Sequence, residues 1–257
     1  MRLLFAAALL LSPFVATAMD HCAFQAPRSL HVDLAGVRGV RLIVNSQDMH
    51  VSASAGAHAL DLSGRACASQ ARLLDGLKVV QRRDGDTLVV ALEDDNHGIQ
   101  RWFGNWSAGL DVKVVLPAAM PVDLQVGSGD ADVTGLDALS GTVGSGDLRV
   151  QHIRGSVQAS VGSGDIDVVD VGSLVADAIG SGDLKVRQVR GDASIGSVGS
   201  GDVVVTDVGG SMRVQALGSG DVTVRNVRGD FSVGAKGSGD VNYSGVTGTV
   251  NVPRDDD

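Results

Sequence analysis

Seven aspartates stand at almost even intervals in the second half of this 257-residue chain, each closing the tetrapeptide Gly-Ser-Gly-Asp. They are Asp130, Asp147, Asp165, Asp183, Asp202, Asp221 and Asp240, and the tetrapeptides begin 17, 18, 18, 19, 19 and 19 residues apart. Carboxylates in such a column suit three chemistries. The first is turn-making, with glycine adopting angles that other residues avoid and aspartate accepting hydrogen bonds from the backbone amides of its corner. Adjacent carboxylates repel by roughly 1 kcal/mol at water-like screening. Hydrogen bonds to a charged acceptor, about 1.5–3 kcal/mol each, offset that. The second is calcium binding, as in Gly- and Asp-rich parallel β-rolls with a nonapeptide period. Here the period is double and no second acidic ligand per repeat is present. The third is polysaccharide lyase or hydrolase chemistry on a solenoid face. A catalytic site is a local exception to a repeat, whereas these aspartates occur in every repeat, so the residues point to a non-enzymatic scaffold.

The elements that carry the aspartates follow from the period. A repeat of 17–19 residues is one coil of a solenoid. Ala131, Leu148, Ile166, Leu184, Val203, Val222 and Val241 directly follow the aspartates. Two positions on come Val133, Val150, Val168, Val186, Val205, Val224 and Tyr243. This alternation predicts a strand with one buried face. Leu136, Ile153, Val171, Val189, Val208, Val227 and Val246 continue the apolar set, and a break, usually at glycine, leads into a second strand with Val157, Leu174, Met212, Phe231 and Val250 inward. The fold class is therefore all-β, a single-chain parallel β-solenoid or β-helix with an irregular N-terminal β cap. Coils stacked about 4.8 Å apart make seven repeats a rod segment on the order of 34 Å long. Between the inward positions, Asp132, Arg149, Asp167 and Lys185 predict a ladder of alternating charge, and Arg154, Arg190 and Arg228 recur on every second coil.

Organisation along the chain is read as a leader over 1–18, an N-terminal β region over 19–110 continuous with the solenoid, the solenoid proper over 111–252, and an acidic tail over 253–257. The leader has Arg2, an apolar run Leu3 to Leu11 and a small-residue cleavage site at Ala16-Thr17-Ala18, the pattern of a secretory signal. No segment is long and apolar enough for a transmembrane helix, so the chain reads as exported, periplasmic or secreted. Loss of the leader takes the formal charge from −9 to −10, which argues against nucleic acid as a partner. Glu93 is the only glutamate among 30 acidic residues, a usage that suits turns rather than helices. Cys22 and Cys67 are the only cysteines, and export predicts a disulfide between them.

In the N-terminal region, Asn45-Ser46-Gln47-Asp48 is a degenerate copy of the tetrapeptide, with Met49 and Val51 at the inward positions, so a coil is expected to start there. Leu77 to Leu92 reads as a hairpin turning at Asp84-Gly85-Asp86. Gln100 to Trp106 contains both tryptophans of a chain only 3% aromatic. Trp102, Phe103 and Trp106 are the candidate partner-binding residues, suited to sugar rings or apolar partners, with a lid over the core as the competing role.

The leader, the Leu116-Pro117 step into Val122 and Val126, and repeats such as GSGDVTVRNVRGDFSVGAKGSGDV resemble the bacterial "putative adhesin" family of secreted β-solenoids, close to the head GIN domain proteins. The resemblance implies a solenoid and an adhesin-like role without a catalytic motif. The expected partner is an envelope or extracellular protein or glycan. No cofactor is called for, calcium being the alternative for the repeat aspartates.

Overall fold

The structure, a computed structural model, describes residues 22–96 and 107–253. The leader, Trp102, Phe103, Trp106 and the charged tail from 254 onward lie outside the described residues. The chain forms strands almost throughout. The N-terminal part contains β1 (Phe24–Asp33), β2 (Gly39–Val44), β3 (Asp48–Ser54), β4 (Ala59–Ala68), β5 (Leu77–Asp84), β6 (Thr87–Asp94) and β7 (Ala108–Pro117). One short 3-10 turn, Ala71–Gly76, precedes β5. The regular part runs through β8 (Val122–Val126), β9 (Ala131–Thr134), β10 (Leu139–Val143), β11 (Asp147–Val161), β12 (Asp165–Ile179), β13 (Leu184–Val189) and β14 (Ala193–Val198). It ends with β15 (Val203–Val208), β16 (Met212–Leu217), β17 (Val222–Val227), β18 (Phe231–Lys236), β19 (Val241–Val246) and β20 (Val250–Asn251).

Two parallel stacks enclose the core. One begins β6, β2, β8, β10, continues through the C-terminal half of β11 and of β12, and proceeds to β14, β16, β18 and β20. The other begins β7, β3, β9, passes through the N-terminal halves of β11 and β12, and proceeds to β13, β15, β17 and β19. The alternating valines, leucines and isoleucines meet between the stacks, and from Ala131 to Val233 the predicted inward positions are buried. A continuous dry seam of branched side chains is the main stabilising term, because no coil buries enough apolar surface by itself.

The N-terminal region is woven into this stack. The coil β2–β3 lies between the coil β6–β7 and the coil β8–β9 in space, although β6 and β7 come later in the chain. β5 and β6 form the expected hairpin, turning at Asp84-Gly85-Asp86, with Gly85 at φ 61°. Beyond β7, β4 and then β1 add antiparallel strands, so one end of the rod is closed by a change of strand direction. The Cys22–Cys67 disulfide is formed, with Cα atoms 5.2 Å apart, and fastens the start of β1 to β4.

At the other end, Tyr243 departs from its expected inward placement and is 50% exposed. β19 is the last strand of its stack and pairs only with β17, so no further coil covers it. The Tyr243 ring rests 5.8 Å, centroid to centroid, from Phe231 of the coil below.

Candidate functional site

Two corners shape each coil, and each has its own chemistry. At the Gly-Ser-Gly-Asp corner, the amides of the first glycine and the serine donate to carbonyls of the coil below, as in Ser181 N–H to Gly162 O at 2.7 Å and Ser200 N–H to Gly180 O at 2.8 Å. The second glycine of each corner sits directly over its counterpart. A Cβ at Gly182 would overlap the carbonyl oxygen of Gly164, and the same holds along the column. None of these glycines has a positive φ. Close approach of stacked backbones, rather than unusual backbone angles, is therefore what requires glycine here.

From Asp130 to Asp221, each repeat aspartate carboxylate accepts a hydrogen bond from the backbone N–H of the equivalent aspartate one coil further on. Asp147 N–H donates to Asp130 Oδ1 at 3.1 Å, Asp183 to Asp165 at 3.0 Å, Asp202 to Asp183 at 3.1 Å, Asp221 to Asp202 at 3.0 Å and Asp240 to Asp221 at 2.9 Å. The Asp165–Asp147 step is longer, at 3.4 Å. The bond joins neighbouring coils and does not close the aspartate's own corner, which differs from the turn chemistry read from sequence. Asp48 extends the column downward, accepting from Asp130 N–H at 3.4 Å. Burial pushes its carboxyl above the usual range, with the Asp130 amide acting against that shift and the Asp130 and Asp111 charges adding to it. Among the described residues no three His, Cys, Asp or Glu side chains gather as a metal-ligand set.

Gln47 stands where the repeats have the second glycine. It is 3% exposed, and its Oε1 accepts from the Leu110 N–H at 2.6 Å. The coil beneath it is β6–β7, not another Gly-Ser-Gly-Asp corner. The degenerate tetrapeptide is thus fitted to an irregular neighbour.

At the opposite corner the sequence showed the Arg154, Arg190 and Arg228 row but not the backbone beside it. One residue per coil there has left-handed backbone: Gly135, His152, Asp170, Gln188, Asp207, Asn226 and Gly245, with φ from 55° to 81°. Each lies five positions after its repeat aspartate. For an L-residue that backbone costs about 1–2 kcal/mol, less for Asn and Asp, and the Asn/Asp/Gly bias of the column was a readable signal. A hydrogen bond links His152 Nδ1 to Asp170 Oδ2 at 3.0 Å, and Asn226 Nδ2 donates to Asp207 Oδ1 at 2.9 Å. The His152 bond is the main cause holding the Asp170 carboxyl below its usual range, with Arg190 adding to it. Gln188 lies between these pairs and makes no side-chain hydrogen bond among the described residues. A groove of about 480 Å³ follows this corner over the last four coils, lined chiefly by Gln188, Arg190, Asp207, Asn226, Arg228 and Thr247.

On the outer face of the β7–β3–β9 stack, the predicted charge ladder exists with altered pairings. His50 Nδ1 is 2.9 Å from Asp132 Oδ2, and Arg149 Nη1 is 3.9 Å from Asp132 Oδ1. Asp167 is bound by Arg187 at 3.0 Å, one coil on and two positions along, instead of by its direct neighbour Lys185. Lys185 approaches Asp183 at 3.8 Å. The longer arginine reaches diagonally, and its Nη2 meets both oxygens of one carboxylate.

Fold and surface together define an all-β repeat scaffold: a parallel β-solenoid whose polar groups form ladders from coil to coil. A family model described as "Putative auto-transporter adhesin, head GIN domain" matches residues 68–247, and the chain belongs to that family. A crystal structure of a putative adhesin from Bacteroides fragilis is similar over 92% of this chain and 100% of its own, at 15% identity and a TM-score of 0.55. A putative lipid binding protein and a putative adhesin, both from Parabacteroides distasonis, each cover 90% of this chain at 16% identity, with TM-scores of 0.46 and 0.43 and 98% and 97% of their own chains matched. No curated protein matches the sequence. The protein is adhesin-like by family, and its formed disulfide fits an exported protein in an oxidising compartment. No helix among the described residues is long and apolar enough to cross a membrane.

Proposed function

We propose that this protein is a non-enzymatic, exported binding scaffold that attaches to an envelope or extracellular protein or glycan. One observation carries the reading: the polar side chains of the described surface recur coil after coil as ladders, each held by a group of the neighbouring coil, backbone amide or side chain. The Asp130-to-Asp240 column and the His50–Asp132–Arg149 row are examples. Repetition of that kind suits many weak, additive contacts with an extended partner. It does not suit a reaction centre, which needs one acid, base or nucleophile unlike its neighbours.

The binding surfaces on this reading are the rod's long faces and the stretch containing Trp102, Phe103 and Trp106. The test is retention of the mature protein on fractionated envelope and exopolysaccharide, beside a Trp102→Ala/Trp106→Ala variant of equal melting temperature. Retention by the wild type is expected. Its loss in the variant assigns the contact to the aromatic stretch, and retained binding moves it to the rod. Failure of the wild type on every fraction would sink the reading.

A further inference from the structure

We infer that the left-handed corner between Gln188 and Thr247 is a binding groove for an acidic glycan, with the sugar's anionic group on Arg228 and its hydroxyls on Gln188, Asp207 and Asn226. The inference rests on the adhesin reading and gives it a site.

The argument begins with backbone. Glycine is the residue best suited to a left-handed corner, and it is used at both ends of the column, Gly135 and Gly245. Between them stand five residues whose side chains carry hydrogen-bonding groups: His152, Asp170, Gln188, Asp207 and Asn226. Residues held in such backbone gather where a surface has a task beyond folding. His152 and Asp170 satisfy one another, as do Asp207 and Asn226. Gln188 does neither: glutamine has no special tolerance for this backbone, and its exposed amide has no partner among the described residues.

Charge supplies the second step. Arg154, Arg190 and Arg228 occupy one position on every second coil. Arg154 is held 3.0 Å from Asp137. Arg190 pairs with Asp170 and donates to the carbonyls of Ile153 and Arg154 at 2.7 and 3.1 Å. Arg228 lines the groove, is exposed, and has no ion pair among the described residues. An exposed guanidinium beside a carboxylate and two amides matches a sugar acid: the fork takes the anion in two bonds, and Asp207, Asn226 and Gln188 offer acceptors and donors for ring hydroxyls.

The groove disfavours a peptide. Strand addition needs free backbone groups, but here Gly209 N–H donates to Val189 O at 2.8 Å, Arg228 to Val208 at 3.0 Å and Thr247 to Val227 at 2.8 Å. The valines that line it are themselves buried or nearly so, and no aromatic side chain lines it to act as an anchor.

The experiment is calorimetric titration of the mature protein with oligogalacturonate, a chondroitin sulfate oligosaccharide and a neutral cello-oligosaccharide. Arg228→Ala, Gln188→Gly/Asn226→Gly and Arg213→Ala, a control outside the groove, are titrated alongside. The glycine pair keeps the left-handed backbone unstrained but gives up the Asn226–Asp207 bond, so titrations are run well below that variant's own melting temperature. Binding of at least one acidic oligosaccharide is expected, weakened tenfold or more in Arg228→Ala and in the glycine pair, and unchanged in Arg213→Ala. Equal or tighter binding of oligogalacturonate identifies a carboxylate, and tighter binding of the sulfated chain, which carries carboxylates too, identifies the added sulfate. Three results overturn the proposal: no acidic oligosaccharide bound by the wild type, equal binding of the neutral one, or unaltered binding in both groove variants. Envelope retention that persists alongside any of these leaves the adhesin reading standing with its site elsewhere.

Discussion

At the residue scale, the same amino acid does different work at the two corners. Gly182 is required by the carbonyl of Gly164 beneath it, so Gly182→Ala forces two coils apart. We expect a loss of about 3 kcal/mol, the upper end for overpacking, measured by urea unfolding. Asp183 accepts the Asp202 amide through one oxygen, and an asparagine carbonyl can do the same without the charge. Asp183→Asn should therefore leave stability within about 1 kcal/mol of wild type, and Asp183→Ala should cost about 1–3 kcal/mol. If both lose stability equally, the carboxylate's charge has a role beyond this hydrogen bond. Asp170 adds a pH signature. Its carboxyl titrates below the usual range in the folded state, chiefly through the His152 bond. Its contribution is present above the ordinary carboxylate range and is lost as pH falls through the lowered folded value. Stability curves of wild type and Asp170→Asn should converge on acidification, and a constant gap down to pH 2 would contradict this.

At the scale of elements, the coil β2–β3 makes the irregular end part of the rod. Its corner holds a glutamine where the repeats have glycine, and that glutamine's amide oxygen satisfies Leu110 N–H inside the stack. Removing the side chain leaves a buried donor without a partner. Gln47→Ala should cost about 1–3 kcal/mol, with hydrogen exchange at Leu110 accelerated more than in β16 or β17. Exchange that rises uniformly would mean that this contact is not what joins the interleaved coil to β7. Asn45-Ser46-Gln47-Asp48 was legible as a corner because Met49 and Val51 keep the inward alternation. Its neighbours were not legible, since stacking β2 against β6 and β8 pairs Val40 with Leu88 and with Val122, 48 and 82 residues further along the chain, and no local pattern encodes it.

At the scale of the molecule, one end of the rod is closed by antiparallel strands and a covalent tie. Cys22 and Cys67 are separated by 45 residues, and opening their loop should lower stability by about 2–4 kcal/mol. Cys22→Ser/Cys67→Ser compared with wild type by chemical unfolding, or wild type with and without reductant, measures this. The repeat aspartates from Asp130 to Asp221 spend one oxygen each on the next coil's amide, and the described residues hold no clustered ligand set. The melting temperature should therefore be the same in excess chelator and in millimolar calcium. A calcium-dependent rise of several degrees would make the column a metal site as well as a hydrogen-bond ladder.

The sequence by itself determined the coil. Its period, its inward residues and its two-strand content are local properties, written by alternation and by a tetrapeptide that returns every 17 to 19 residues. Tertiary structure alone decided what one coil does to the next. The direction of the aspartate bond, the stacked carbonyl that excludes a Cβ at Gly182, the reach of Arg187 to Asp167 and the threading of β2–β3 beneath β8 all depend on atoms brought together from different coils. The groove beside Arg228 belongs to the same class. Gln188, Asp207 and Asn226 are 19 residues apart in sequence, and they form one surface only because parallel stacking sets them one coil rise apart.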